Sequence, residues 1–491
     1  MTAAKGPKGS DKGSDRGSKK NSAKDSDKGN QPQSARGLAR DVLARVEREG
    51  AYAGRALAAA LDRGRPLSPE DRALATELVY GVLRRRSRLD RAIGALARTG
   101  TGNLDPGVQI ALRTAAYQIL FLDRIPAYAA VSEGVEACKA IGGRGVAGFA
   151  NALLRKLART GEPALPDSAG DPAGYLEAAV GFPSWLVRLL LDELPASEAI
   201  AFGEASMAPA PVTLRANAPR IARDALVARL AAERPGAALL PSSIAPDAIL
   251  ARRFDAPATT AAWREGLFAV QDAGAQVVAE LCGAAPGERI LDACAGVGGK
   301  TAHLLALSGG EAQVDAVDKA PAKLHDASRT LQRLGLTSAR LVAGDLTRPL
   351  DSSLTTLGYH RILLDAPCSG LGVLRRHPEA LIRRSPDDLA ARAAQQLAML
   401  ATVAPALRPG GLLTYAVCTF ERRECEEVVA AFLQAHPAFQ IEPATAAGGR
   451  VPWEQLMDPS GAVRTWPQRD DADAFYAVRL RARGYPRTGE G

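Results

Sequence analysis

The sequence predicts a multidomain chain in which an all-α domain precedes an α/β domain with a doubly wound sheet. Three observations predict it. Apolar residues recur at helical spacing, with almost no strand-like alternation, from Ala35 to about Arg159. After Leu267 short apolar strands alternate with helices, the pattern of a doubly wound sheet. A glycine-rich turn, Gly296-Val297-Gly298-Gly299, separates one such strand from the helix that follows it.

The bulk properties bound this reading. At 491 residues the chain has room for two or three domains, and 46% hydrophobic with 24% charged residues is ordinary for a globular protein. No apolar stretch approaches the ~20 residues that span a bilayer, and the first residues are polar, so a soluble, cytoplasmic protein with no membrane partner is expected. The six cysteines include no C-x-x-C pair, which argues against a zinc knuckle, so no metal site is expected. Of the formal charge of +8, the first thirty residues carry half, eight basic side chains against four acidic ones. The rest is only mildly basic, so the case for a nucleic-acid partner has to come from sites.

In chain order, residues 1–33 are Gly, Ser, Lys and Asp and are expected to form a disordered polar tail. Residues 34–160 form the all-α domain. Ser68-Pro69 and Asp105-Pro106 read as N-caps followed by a first-turn proline. Leu112, Ala115, Ala116, Ile119 and Leu120 share one helix face. Arg84, Arg85, Arg86, Arg88 and Arg91 form a dense basic cluster, with phosphate contact and a plain solvated face both open. Residues 161–172 read as a linker and residues 173–270 as a small α+β subdomain with a strand near Pro211 to Arg215. The α/β domain occupies 271–482, and 483–491 form a C-terminal tail.

Within the α/β domain the strand Arg289 to Ala293 runs into Cys294-Ala295-Gly296-Val297-Gly298-Gly299-Lys300-Thr301. Such a turn lets a ligand approach the backbone beside a positive helix N-terminus. The spacing is neither G-x-G-x-x-G nor a P-loop. Asp318 ends the second strand, about twenty residues on, where ribose hydroxyls would sit. Asp345 follows the third, Ala339 to Ala343, where a carboxylate suits an adenine amino group. Helix N-capping is the alternative for each, and cofactor contact is favoured because both close strands in the right order.

Two cysteines lie just past strand ends: Cys368, after His360 to Leu364 and Asp365-Ala366-Pro367, and Cys418, after Gly411 to Val417. Carboxyl ends of strands border the ligand crevice of a doubly wound sheet. A thiolate there has a role in methylating a pyrimidine. Addition to carbon 6 breaks the ring's aromaticity and makes carbon 5 nucleophilic toward a sulfonium methyl. Asp365 is placed to bind the N3–N4 edge of the base.

These segments together resemble the RNA 5-methylcytosine methyltransferase family. The likeness rests on Asp292-Ala293-Cys294 through Thr301, Asp365 through Gly370, Gly372-Val373-Leu374-Arg375-Arg376-His377-Pro378-Glu379, and Tyr415 through Thr419, and it spans about 180–482. The resemblance implies a Rossmann-like class I methyltransferase domain using S-adenosyl-L-methionine. It implies Cys418 as nucleophile and Cys368 as the group promoting product release. It also implies cofactor or base contact by Cys294, Ala295, Gly296, Val297, Gly298, Gly299, Lys300, Asp318, Asp345 and Asp365. Cys138, Cys282 and Cys425 are expected to be plain buried thiols. The helical domain is similar to the antitermination factor NusB, through Ile125 to Glu133 and Phe149 to Arg155. This pairing points to the bacterial branch that acts on a 16S ribosomal RNA cytosine, position 967 in the usual name. A monomer acting on that or another structured RNA with an accessible cytosine is expected. The family loop usually has proline where Val297 stands, and often asparagine where Cys425 stands. The competing readings are a cytosine methyltransferase of DNA, with Cys368 attacking, and a non-catalytic RNA-binding assembly protein.

Overall fold

The computed structural model describes residues 34–63, 67–97, 102–355 and 358–483. The expected N-terminal tail, and all but the first residue of the C-terminal one, lie outside the described residues. No described helix is long and apolar enough to cross a membrane.

The N-terminal part is all helix: Ala35–Glu49, Ala53–Arg63, Pro69–Arg84, Arg86–Gly94, Pro106–Phe121 and Ala127–Thr160, the last broken at Gly143 with φ 75°. Ser68 accepts from the Asp71 amide at 3.1 Å and Asp105 from the Gly107 amide at 2.7 Å, each beside a first-turn proline. The helix Pro106–Phe121 is buried on every side from Ile110 to Gln118, not on one face. Its small residues let neighbouring helices close around it, so a pattern that reads as one stripe becomes the centre of the bundle. The charge drawn in with it is paired: Arg113 meets Asp90 at 2.6 Å and Glu47 at 2.9 Å.

The basic cluster is neither a free phosphate-binding surface nor a solvated face. All five arginines are half-buried and engaged within the protein. Arg84 donates to the Arg375 carbonyl, Arg86 pairs with Glu47 and Arg88 with Glu162. Arg91 donates to the carbonyls of Pro163 and Ala164, and the Arg85 guanidinium lies 4.4 Å from the centre of the Phe121 ring. Guanidinium groups fasten the following segment to the helical bundle here.

Next comes an antiparallel sheet of β1 (Val212–Ala216), β2 (Ala238–Pro241), β3 (Ala248–Arg252) and β4 (Phe268–Val270), in the order β2-β3-β1-β4. The helix Arg223–Glu233 packs on it through Leu226 and Leu230.

The last part is a mixed sheet. Its strands are β5 (Arg289–Asp292), β6 (Gln313–Asp318), β7 (Ala339–Ala343), β8 (Tyr359–Asp365), β9 (Leu407–Val417), β10 (Phe439–Glu442), β11 (Val463–Thr465) and β12 (Phe475–Ala482). The order is β10-β12-β9-β8-β5-β6-β7. β9 through β7 run parallel, β12 is antiparallel to β9, and β10 and β11 pair antiparallel with β12. Successive side chains alternate between two covered faces: Leu363 packs with Leu304 and Val277, while Ile362 and Leu364 pack with Leu400 and Val403. Burial on both faces is why β5, β8 and the second half of β9 carry short apolar runs, whereas β6 holds Asp315 and the edge strand β7 is only partly buried. β9 begins at Leu407, four residues before Gly411, because a register shift between Tyr359 and Arg361 accommodates Pro409 and Gly410.

Candidate active site

β5, β6, β7, β8 and β9 are parallel, so their carboxyl ends gather at one edge of the sheet. A cavity of about 370 Å³ opens there, lined among others by Cys294, Gly296, Asp318, Asp345, Asp365, Cys368 and Cys418. Seven of the expected site residues therefore share one wall. Ala295, Val297, Gly298, Gly299 and Lys300 are not part of that lining. Ala295 is buried with its amide on the Val317 carbonyl, Val297 is exposed, and Gly298 (φ 81°) starts the helix Gly299–Leu307.

The glycine-rich turn is held from β6. The Gly296 amide donates to Asp318 Oδ2 at 3.0 Å, and Asp318 Oδ1 accepts from the Ala320 amide at 2.9 Å. Asp318 thus holds the glycine-rich turn and the Ala320 amide and lines the cavity, while the N-cap of the helix Pro321–Leu334 is Ala320 and no side chain caps that helix. Asp345 is exposed and accepts from the Thr347 amide and hydroxyl at 3.0 and 2.7 Å. Gly296 has φ 57°, and a Cβ built on it would meet nothing within 4 Å. That open cradle beside two carboxylates suits a nucleoside-bearing cofactor.

Buried Asp292, at the end of β5, accepts from Thr301 Oγ1 at 2.6 Å, and burial pushes its pKa up to about 6. Lys300 projects from the next helix to Asp365, Nζ to Oδ2 2.6 Å. Burial pulls the ammonium pKa down, but the Asp365 carboxylate outweighs it, with Cys418 adding to the rise.

The sulfurs of Cys368 and Cys418 are 3.2 Å apart. Register explains the meeting: β8 pairs in parallel with β9, Asp365 opposite Ala416, so both chains turn away from the sheet side by side. The hydrogen bond to Cys418, then burial, pushes the Cys368 thiol well above its ordinary value. The loops carrying the two thiols are stitched together below the surface. Ser369 Oγ lies 3.0 Å from Thr419 Oγ1, and Glu424 accepts from the Ser369 amide at 2.8 Å and from Gln396 Nε2 at 2.9 Å. The Gly372 amide donates to the Cys418 carbonyl at 3.0 Å.

Several contributors carried no local signal. Glu424 lies in a charged run that reads as solvated. Arg215 of β1 is buried and donates to the Gly299 carbonyl at 2.9 Å, tying the small sheet to the glycine-rich turn. Tyr52, from the helical part, lines the cavity together with His377 and Arg383. Cys138, Cys282 and Cys425 are buried free thiols, as expected.

With this geometry the comparisons with known proteins agree. A family model described as 16S rRNA methyltransferase RsmB/F matches residues 281–481. The NusB family matches residues 33–159, and an RsmF/B-like ferredoxin-like domain matches 182–254. The chain is 33% identical over 454 residues to a probable ribosomal RNA small subunit methyltransferase B of Bacillus subtilis (strain 168), covering 92% of this chain and 99% of that protein. It is 36% identical over 427 residues to ribosomal RNA small subunit methyltransferase B of Pseudomonas putida (strain KT2440), covering 86% and 93%. A solved structure described as PH0851 superposes with a TM-score of 0.75 at 22% identity, covering 91% of this chain and 98% of that one, which shows the shared fold. Identity at this level along almost the full length of both proteins is decisive, and the chain belongs to the RsmB/F family of S-adenosylmethionine-dependent ribosomal RNA small subunit methyltransferases.

Proposed function

We propose that this protein forms 5-methylcytosine in 16S ribosomal RNA, at the position usually numbered 967, with Cys418 as a covalent nucleophile. The observation that carries the reading is the pair of sulfurs 3.2 Å apart at the ends of adjacent parallel strands, in one cavity with Asp318, Asp345 and Asp365.

S-Adenosyl-L-methionine, when bound, supplies a methyl group on a sulfonium. Gly296, Cys294, Asp318 and Asp345 are the cavity residues that would hold it, the carboxylates taking its hydroxyl and amino groups. Ala295, Val297, Gly298 and Gly299 shape the turn behind them. Cys418 adds as thiolate to carbon 6 of the cytosine, forming the S–C6 bond and moving electron density to carbon 5. Lys300 supports that thiolate with its positive charge and holds Asp365 beside the ring. Asp365 stabilises the N3–N4 edge as charge builds there. Carbon 5 then takes the methyl group, the methyl–sulfonium bond breaking with its electron pair left on that sulfur. The carbon 5 proton leaves to solvent, its bonding pair restores the double bond, and the C6–S bond breaks with its pair returning to Cys418. Cys368, in contact with that sulfur, assists this closing elimination. The target base has to leave its stack to reach the thiol, at ~a few kcal/mol, so an unpaired cytosine is favoured.

The test is a pair of variants assayed on 16S ribosomal RNA. Cys418→Ala abolishes methyl transfer, and Cys368→Ala accumulates a protein–RNA adduct that survives denaturing electrophoresis. An adduct accumulating in Cys418→Ala instead reverses the two roles. Bisulfite mapping of RNA from cells with and without the gene locates the modified base.

A further inference from the structure

The helical domain sends one side chain into the catalytic cavity. The helix Ala35–Glu49 ends at Gly50, whose φ of 65° turns the chain sharply, and two residues later Tyr52 precedes the helix Ala53–Arg63. This short turn is fastened to the catalytic domain on both sides of the ring. The Ala53 amide donates to Glu379 Oε1 at 3.2 Å, in a buried contact, and Arg383 donates to the Ala51 carbonyl. The ring itself meets the His377 imidazole edge-on, centroids 6.2 Å apart, and has the Arg383 guanidinium 5.0 Å from its centre.

Despite these anchors Tyr52 stays 52% exposed while Ala53 is fully buried. A large ring held by His377 and Arg383 yet left half bare, lining the same cavity as Cys368 and Cys418, offers flat aromatic surface to a ligand. It is more exposed than either thiol, so it stands at the mouth. Arg383 and Arg384 also line the cavity, the first donating to the Ala51 carbonyl and the second through Nε to the Ser369 carbonyl at 2.7 Å. Flipping the target cytosine out of its stack leaves the adjoining base without a stacking partner, and an aromatic face at the cavity can replace it.

We propose that Tyr52 is a stacking platform for the RNA base adjoining the target cytosine, so that the helical domain completes the substrate site. The inference rests on the reading of the chain as an RNA cytosine methyltransferase. Tyr52 acts as a positioning residue: it orders the strand so that the cytosine reaches Cys418.

The experiment uses the full chain and a 16S ribosomal RNA transcript, with Tyr52→Leu and Tyr52→Phe. Tyr52→Leu keeps apolar bulk without the aromatic face and lowers kcat/KM for the transcript about tenfold or more. The loss appears in the KM for RNA, with the dissociation constant for S-adenosylmethionine and the melting temperature unchanged. Tyr52→Phe retains the face and stays within about twofold of the parent. Parent-like kcat/KM in Tyr52→Leu overturns the inference. So does an equal loss of cofactor affinity, which would put the adenine on the ring, or a fall in melting temperature shared by both variants, which would make the ring a packing element. Inactivity of the parent protein on the transcript overturns the underlying reading, and the inference with it.

Discussion

Lys300 Nζ lies 2.6 Å from Asp365 Oδ2, a half-buried ion pair that joins the helix after β5 to the end of β8. The pair holds its ammonium above the ordinary lysine pKa, with Asp365 the principal opposing charge to burial and Cys418 a further contributor. Lys300→Met removes this cation and leaves Asp365 without its partner. The expected result is a fall in methylation rate of about ten- to a hundredfold. Lys300→Arg keeps the charge and recovers part of the rate. Methylation rates of the three proteins check this, and a parent-like rate in Lys300→Met would remove Lys300 from the chemistry.

Gly372 is wedged between two backbone carbonyls. Its amide donates to the Cys418 carbonyl at 3.0 Å and its own carbonyl accepts from the Ala474 amide at 2.9 Å. A Cβ here would lie 2.1 Å from the Ala474 oxygen and 2.9 Å from the Cys418 oxygen, and backbone atoms cannot swing away as a side chain can. Gly372→Ala is therefore expected to cost ~1–3 kcal/mol and to displace Cys418. Thermal denaturation and methyl transfer measured together check it: a melting temperature near the parent's with full activity would contradict the packing.

Those two relationships mark what could be read from the chain and what could not. Cys418, Cys368, Asp318 and Asp345 stand at strand ends, and a strand end is a local event that alternation and turn residues reveal. The parallel order of the sheet then carries them to one edge. Ala53, next to Tyr52, and Glu379 are 326 positions apart, and nothing near Tyr52 distinguishes it from any other tyrosine between helices. Glu424 lies in an Arg-Arg-Glu-Cys-Glu-Glu stretch whose charges suggest solvent. Its carboxylate is buried because Ser369 and Gln396 supply donors from elsewhere. The arginines after Tyr80 were visible as charge, but their partners Glu47, Glu162 and the Arg375 carbonyl are distant in sequence. The central helix failed as a one-sided stripe for a related reason: alanine reads equally well on a covered or an open face, and only its neighbours decide.

A second buried cluster gives a prediction about pH. Asp247, Glu280 and His303 bring their ligand-type atoms within 4.8 Å of one another, beside the buried Arg215 guanidinium. Burial, then Asp247, pushes Glu280 up to about 7 from an ordinary 4.5. A carboxyl raised on folding binds more protons in the folded state. Its contribution is therefore whole below pH 4.5 and is lost as pH rises through about 7. The full linkage amounts to about 3 kcal/mol, as an upper bound. Glu280→Gln removes the dependence, so its melting temperature relative to the parent's rises between pH 5 and pH 8.5. A difference that stays constant across that range, in paired denaturation scans, would show that Glu280 titrates normally.

Arg88 separates a structural use of the basic cluster from an electrostatic one. Its guanidinium pairs with Glu162 in the segment that leaves the helical part, and it also donates to the Ala179 carbonyl. Arg88→Ala strands a half-buried Glu162 carboxylate and an unpartnered carbonyl, an expected loss of ~1–3 kcal/mol. A phosphate-binding arginine would behave differently. Each neutralised phosphate releases counterions, so removing one such contact flattens the dependence of log affinity on log salt by about 0.9 on duplex nucleic acid and about 0.7 on single strands. Because Arg88 is occupied within the protein, the salt slope for RNA binding is expected to match the parent's while the melting temperature falls. Filter binding across a salt series, alongside thermal denaturation, distinguishes the two. A flattened slope with unchanged stability would return this arginine to the RNA interface, and would require the Glu162 pair to open when RNA binds.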